Sequence, residues 1–379
     1  MAVIHEILER FTNARVNAKE EIDYLKANGR KIVGTYCSFA PREIILAAGA
    51  VPIRLTDTTS QYDNEGEKDI PRNMCTIVKS SYGAAVSGKS PYFDKVDIII
   101  GETTCDGKKK MFEYLKNIKN TYVMQVPQKS EGEDEYSLWK NEILRLKELL
   151  EKEFHVEITD KKIKEAIVKK NNERRTLKRL YKLWGTKPSE LNSKDIHNVL
   201  FNFEYRMDSE KALEDIESLI EILEDSNVEA KQNKAPKILL TGCPLGEKFP
   251  TIIDLIEEAG GDLVVIETCD WMKGNEELVD ESISWLDALT QKYLKVACPT
   301  MTPNTYRYEN ISRYIDEDEI DGVINLDLQA CVPYNIESIP LKRFVNEKKD
   351  VGYINLETNM TAEEVGQVRT RIEAFVEML

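Results

Sequence analysis

Two rhythms of apolar residues alternate along this chain. Short unbroken runs at 31–36, 51–55, 96–100, 121–126, 238–242, 263–266, 322–326 and 351–354 predict strands buried on both faces. Between them apolar positions recur every three or four residues, which predicts helices laying one stripe on a sheet. Punctuation supports the division. Gly29 stops a first helix over 5–29, and Pro41 opens and Gly49 closes a short helix over 43–48, the usual order of proline first and glycine after. Pro52 places the strand 51–55 at a sheet edge or at its own start. Further helices are predicted over 108–118 and 251–258. Thr361 and Glu364 form a capping box for a last helix with a stripe of Val365, Val368, Ile372, Phe375 and Val376. Alternating strands and helices imply parallel sheets, with ligand sites outside the carboxyl ends of the strands.

Residues 131–230 change character. Charged amphipathic helices dominate, one carrying Leu138, Ile143, Leu146, Leu149 and Leu150, another Ala212, Ile216, Leu219 and Leu223. Gly185 and Pro188 break this stretch, and 232–236 reads as a linker. No repeat of 20–50 residues is visible, which excludes a solenoid. The expected architecture is α/β: two flavodoxin-like parallel-sheet domains, 1–130 (with the N-terminal helix) and 235–379, and a helical connector or insert over 131–234.

Composition narrows the chemistry. The 379 residues carry a formal net charge of −15, which repels nucleic acid and anionic membrane surfaces. The basic run from Lys161 to Arg175 is interleaved with Glu165 and Glu173 and is expected to be a solvated helix face. No apolar run is long enough to span a membrane. The amino terminus lacks the basic and apolar regions of a secretory signal, so a cytoplasmic protein is expected. His5, His155 and His197 all lie in helical, charged surroundings and are assigned surface or helix-face roles, which leaves no histidine triad or histidine metal site. There is no P-loop motif. Thr241-Gly242-Cys243-Pro244-Leu245-Gly246 is a tight turn at a strand end rather than a phosphate cradle.

The cysteines carry the sharper signal. There are seven, an odd number without C-x-x-C pairs, which fits neither a disulfide scaffold nor a short-spaced zinc site. Cys37 and Cys243 each end the first strand of a half. Cys75 and Cys298 open later segments, and Cys105 and Cys331 follow the later buried strand of each half. Six of seven thus fall at matching strand ends, and Cys269 has no clear mate. Scattered buried cysteines would behave as small apolar side chains. Soft thiolates gathered from distant loops instead suit iron–sulfur clusters, which need no short local spacing.

Several segments resemble the 2-hydroxyacyl-CoA dehydratase D-component family. They are the run from Gly34 to Glu43 with Ala47 to Pro52, Pro71 to Cys75 through Gly83, Gly101 to Lys110, and Asp321 to Ile324 with Gln329-Ala330-Cys331. The resemblance spans nearly the whole chain. It implies a [4Fe–4S] cubane on Cys75, Cys105 and Cys331. The surplus of Cys37, Cys243, Cys269 and Cys298 resembles the double-cubane branch, in which two cubanes share a sulfide as [8Fe–9S]; the second cubane would take Cys37, Cys298 and either Cys243 or Cys269. It also implies a partner, a homodimeric ATP-hydrolysing iron–sulfur activator, so that ATP acts through that partner. A single chain with this many cysteines is expected to form a homodimer.

Three functions follow as expectations. The first is an ATP-dependent reductase that passes low-potential electrons to a small unsaturated substrate, with Glu102, Lys108, Tyr36 or Tyr82 supplying protons. The second is a 2-hydroxyacyl-CoA dehydratase acting through a ketyl radical. The third is a non-enzymatic electron carrier.

Overall fold

The fold is given by a computed structural model that describes residues 2–185, 191–225, 235–269, 272–347 and 351–379. Eight strands form: β1 Ile32–Thr35, β2 Val51–Arg54, β3 Ile98–Glu102, β4 Thr121–Met124, β5 Lys237–Gly242, β6 Asp262–Glu267, β7 Gly322–Asp327 and β8 Gly352–Glu357. They make two four-stranded sheets of order β2-β1-β3-β4 and β6-β5-β7-β8, and every pairing is parallel. This is the flavodoxin-like strand order, shortened by one strand, repeated in each half. The chain leaves the central pair β1/β3 in opposite directions, and leaves β5/β7 likewise. Each sheet therefore opens a crevice at the carboxyl ends of its central strands, where ligands of open α/β sheets bind.

Local chemistry explains the register. Pro52 pairs with Val33 on the outermost strand β2, where its missing N–H costs no ladder bond. Gly242 closes β5 at φ +122°, and a Cβ there would lie 2.0 Å from the Leu326 carbonyl oxygen of β7. Only glycine lets β5 turn toward Cys243 while pressed against its neighbour. The expected first helix is two, Ala2–Thr12 and Ala14–Ala27, meeting at Asn13. The last helix, Ala362–Glu377, starts at the Thr361/Glu364 capping box.

The middle helices pack onto both halves. Helix Glu133–Phe154 buries Trp139, Ile143, Leu146 and Leu150, and Trp139 meets Phe39 edge-on at 6.2 Å. The same helix packs on helix Trp285–Leu294, which lies between β6 and β7. Helix Asp160–Gly185 ends at the expected glycine; Pro188 and linker residues 232–234 lie outside the described residues. The basic run is a solvated face only in part. Lys161, Lys162, Lys164 and Arg175 are exposed, whereas Lys170, Glu173 and Arg174 are buried. Arg174 reaches Glu43 at 2.7 Å, and burial of the pair is tolerated because the charges satisfy one another. Nor is His197 on the surface. It sits buried between Phe201 and Phe249, with ring centroids 5.4 and 4.8 Å away, because its helix turns that face to the core. Among the described residues no helix is long and apolar enough to cross a membrane.

Candidate metal centre

The two crevices face one another, and all seven cysteines line a single cavity of about 440 Å³ between them. Each arrives there by the local logic of its strand. Cys37 and Cys105 follow β1 and β3; Cys243 and Cys331 follow β5 and β7. Cys75 is the residue before helix Thr76–Val86 and Cys105 the residue before helix Asp106–Leu115, so helix amino termini point N–H groups and positive dipole ends at the site. Cys269 follows β6 directly, and Cys298 comes later in the same β6-to-β7 connection, after helix Trp285–Leu294. The C-terminal half thus supplies two thiols where the N-terminal half supplies Cys75, which is why Cys269 lacks a mate by sequence alignment of the halves.

All seven thiols are free, and they fall into neighbourhoods. Cys331 lies beside both Cys75 and Cys243. On the other side Cys298 faces Cys269 and Cys37. Among the described residues no three His, Cys, Asp or Glu side chains close on one point as a single ion requires. Soft donors spread around a cavity whose lining holds no imidazole and one carboxylate, the exposed Asp106, fit a multi-iron group better than one hard or borderline ion. As free thiols Cys37, Cys75 and Cys298 resist ionisation. Burial lifts Cys37 to about 11 against the pull of the Lys108 ammonium, and lifts Cys298 to about 12 with help from Cys269. Cys75 is pushed well up by the neighbouring Cys331 thiol and by burial.

The polar surroundings of the two neighbourhoods differ. Lys108 Nζ donates to Cys37 Sγ at 2.8 Å, and Thr104 Oγ1 lies 3.7 Å from the same sulfur. Thr300 Oγ1 is 3.2 Å from Cys298 Sγ. Tyr334 Oη is 3.3 Å from Cys269 Sγ and accepts from Lys273 Nζ at 2.8 Å. Arg54 donates to the Cys269 carbonyl at 3.0 Å. Around Cys75, Cys243 and Cys331 the nearby donors are backbone amides: Leu328 donates to Cys243 Sγ at 3.5 Å, and the Ile77 and Val78 amides lie near Cys75 and that of Tyr334 near Cys331. The Asp327 carboxylate adds negative charge beside Cys243.

Three of the four proposed proton residues are gathered here. Tyr36 and Lys108 line the cavity. Glu102 lies fully buried behind Cys37, taking the Ala40 amide at 3.2 Å while its second oxygen has no hydrogen-bond partner; burial raises its carboxyl to about 7 although Lys108 opposes this. Tyr82 is elsewhere, donating to Asp69 at 2.9 Å. Sequence reasoning missed Tyr334, Lys273, Arg54, Thr104 and Thr300. Thr104, Thr300 and Tyr334 lie within three residues of a cysteine, a spacing that could have marked them. Lys273 and Arg54 arrive by long-range packing and left no local signal.

Residues 37–379 match the family described as 2-hydroxyglutaryl-CoA dehydratase, D-component. The chain is 40% identical over 374 residues to the putative dehydratase subunit YjiM of Escherichia coli, covering 98% of each. It is 22% identical over 360 residues to the (R)-phenyllactyl-CoA dehydratase beta subunit of Clostridium sporogenes, covering 94% of each. It is also 23% identical over 397 residues to the (R)-2-hydroxyglutaryl-CoA dehydratase subunit beta of Acidaminococcus fermentans, covering 99% of this chain and 100% of that one.

Proposed function

Because this chain belongs to the 2-hydroxyglutaryl-CoA dehydratase D-component family, we propose that it is an iron–sulfur enzyme component that carries two joined cubanes, [8Fe–9S], and reduces a small unsaturated substrate with electrons from a separate ATP-hydrolysing activator. The observation that carries the reading is the convergence of seven free thiols from both sheets on one cavity. Cys75, Cys105 and Cys331 would hold one cubane. Cys37, Cys298 and Cys269 would hold the other, since Cys298 faces Cys269 and Cys37. Cys243, against Cys331, would be a neighbour of the first cubane rather than the third ligand of the second. A bound cluster of this class supplies one-electron reduction at potentials that reach about −700 mV.

The chain's own residues prepare that chemistry. Val78, Val296, Val332 and Pro333 line the cavity with apolar surface, which limits water and strengthens every charge interaction inside. Lys108 and Tyr334 orient hydrogen bonds at the sulfurs. A space of about 440 Å³ is near the small end of ligand pockets, roughly 300–1,000 Å³. Shared with iron and sulfide, it supports a small substrate over an entire coenzyme A thioester. The reading includes a homodimer and docking of the activator near the cavity mouth.

Anaerobically purified protein should contain about eight irons and a similar amount of sulfide per chain; about four irons or fewer rejects the double cubane. The second reading, a 2-hydroxyacyl-CoA dehydratase, is favoured by the names of the relatives. Activator-dependent dehydration of a hydroxyacyl-CoA, measured by product release, would select it.

A further inference from the structure

We propose that the two thiol neighbourhoods are electrostatically unequal, with Lys108 as the positioning residue that makes the Cys37, Cys269 and Cys298 side the resting place for an added electron. The inference rests on the double-cubane reading and goes beyond it by giving the site a direction.

A thiolate ligand can only accept hydrogen bonds, so each hydroxyl beside it must turn into a donor. On one side every thiolate then has a side-chain donor. Cys37 has the Lys108 ammonium at 2.8 Å and the Thr104 hydroxyl at 3.7 Å. Cys298 has Thr300 at 3.2 Å. Cys269 has Tyr334 at 3.3 Å, whose oxygen is polarised by the Lys273 ammonium at 2.8 Å. Charge-assisted donors are about twice as strong as neutral ones. On the other side Cys75 and Cys331 of the first cubane, and Cys243 beside it, have neutral backbone amides near them; a carboxyl group stands near each side, Glu102 by Cys37 and Asp327 by Cys243, so the difference lies in the donors. Hydrogen bonds and positive charge at the sulfurs raise a cluster's reduction potential. One electron from a low-potential one-electron donor therefore settles on the Cys37 side and leaves the other side oxidised.

The half-buried position of Lys108 gives the effect its size. Water screens it only in part, and its one hydrogen bond in the site goes to Cys37. Its charge also reaches Cys105, but from farther than the bonded sulfur, so the Cys37 side gains more.

The test is an anaerobic potentiometric titration of the full-length iron-loaded protein, followed by electron paramagnetic resonance, with titanium(III) citrate as reductant. Wild type should give two separate one-electron waves. Lys108→Met should move the higher wave to more negative potential and the lower one by clearly less, and Lys108→Arg should restore most of the shift. Thr300→Val removes a neutral donor from Cys298 and should move the same wave by less, which keeps the inference testable if Lys108→Met fails to retain iron. A single wave, equal movement of both waves, or movement of the lower wave alone overturns the inequality. Iron-free wild type removes the cluster reading itself, and the inequality with it; a normal iron count with unselective shifts removes the inequality only.

Discussion

Replacing Gly242 by alanine should cost the second sheet about 2–6 kcal/mol, centred near 4. Two effects add. The residue sits at φ +122°, where a side chain costs about 1–3 kcal/mol. Its Cβ would also fall 2.0 Å from the Leu326 carbonyl oxygen and 2.7 Å from the Leu326 amide. Backbone cannot swing away as a side-chain tip can, and that carbonyl already accepts the Cys243 amide at 2.7 Å. Relief requires β5 and β7 to part, an overpacking cost of about 1–3 kcal/mol. Trp184 offers a local probe, since its neighbour Tyr181 packs against it in a tilted pair at 5.2 Å and accepts the Ile266 amide of β6. Anaerobic urea unfolding followed by tryptophan fluorescence should show the midpoint falling by about 2 M if the slope is about 2 kcal/mol/M. Gly366→Ala is the control. It lies mid-helix with no atom within 4 Å of its would-be Cβ, and alanine there should stabilise by about 0.5–1 kcal/mol. A Gly242→Ala midpoint within about 0.5 M of wild type refutes the reasoning.

Three other outcomes are expected. Cys269→Ser should lower bound iron by about half while Cys243→Ser leaves it near wild type, as judged by iron and sulfide assay; the reverse pattern exchanges their roles. Arg307→Met should destabilise by about 3–5 kcal/mol, because it strips the buried Glu337 carboxylate of its cation and leaves Glu267 with Lys273 alone of its two cations; thermal melts on the two proteins decide it. Burial lowers the His197 imidazole from 6.5 to about 4, only partly opposed by the Gly246 carbonyl. The unfolded chain then takes up its proton first as the medium acidifies. The stability held by the neutral ring is complete above pH 6.5 and is lost as pH falls to about 4, a total of about 3 kcal/mol. Urea midpoints at pH 7 and pH 5 should diverge in wild type and converge in His197→Phe; equal divergence in both proteins assigns the effect elsewhere.

The parallel halves were legible because buried strands leave unbroken apolar runs and their ends carry Gly, Pro and Cys. Pro52 announced an edge strand, and β2 is one. The Thr361/Glu364 box announced its helix start. What was illegible depends on long-range pairing. Arg174 looks like one charge among many in a basic run until Glu43, 131 residues away, is seen against it. His197 looks polar until two phenylalanines enclose it. Cys269 seemed unmatched because the β6-to-β7 connection is longer than its counterpart and holds an extra helix and an extra thiol. Tyr82 was proposed from its closeness to Cys75 in sequence, but the helix between them turns it away from the cavity to Asp69.

The facing crevices make the two sheets mutually dependent. Neither half owns the cavity: Cys37, Cys75 and Cys105 come from one, and Cys243, Cys269, Cys298 and Cys331 from the other. Anything gripped by both sets acts as a rivet, and a hinge motion of a few tenths of an ångström would strain every sulfur at once. Severing the chain in its helical middle should therefore be survivable while the rivet is in place and disruptive once it is withdrawn.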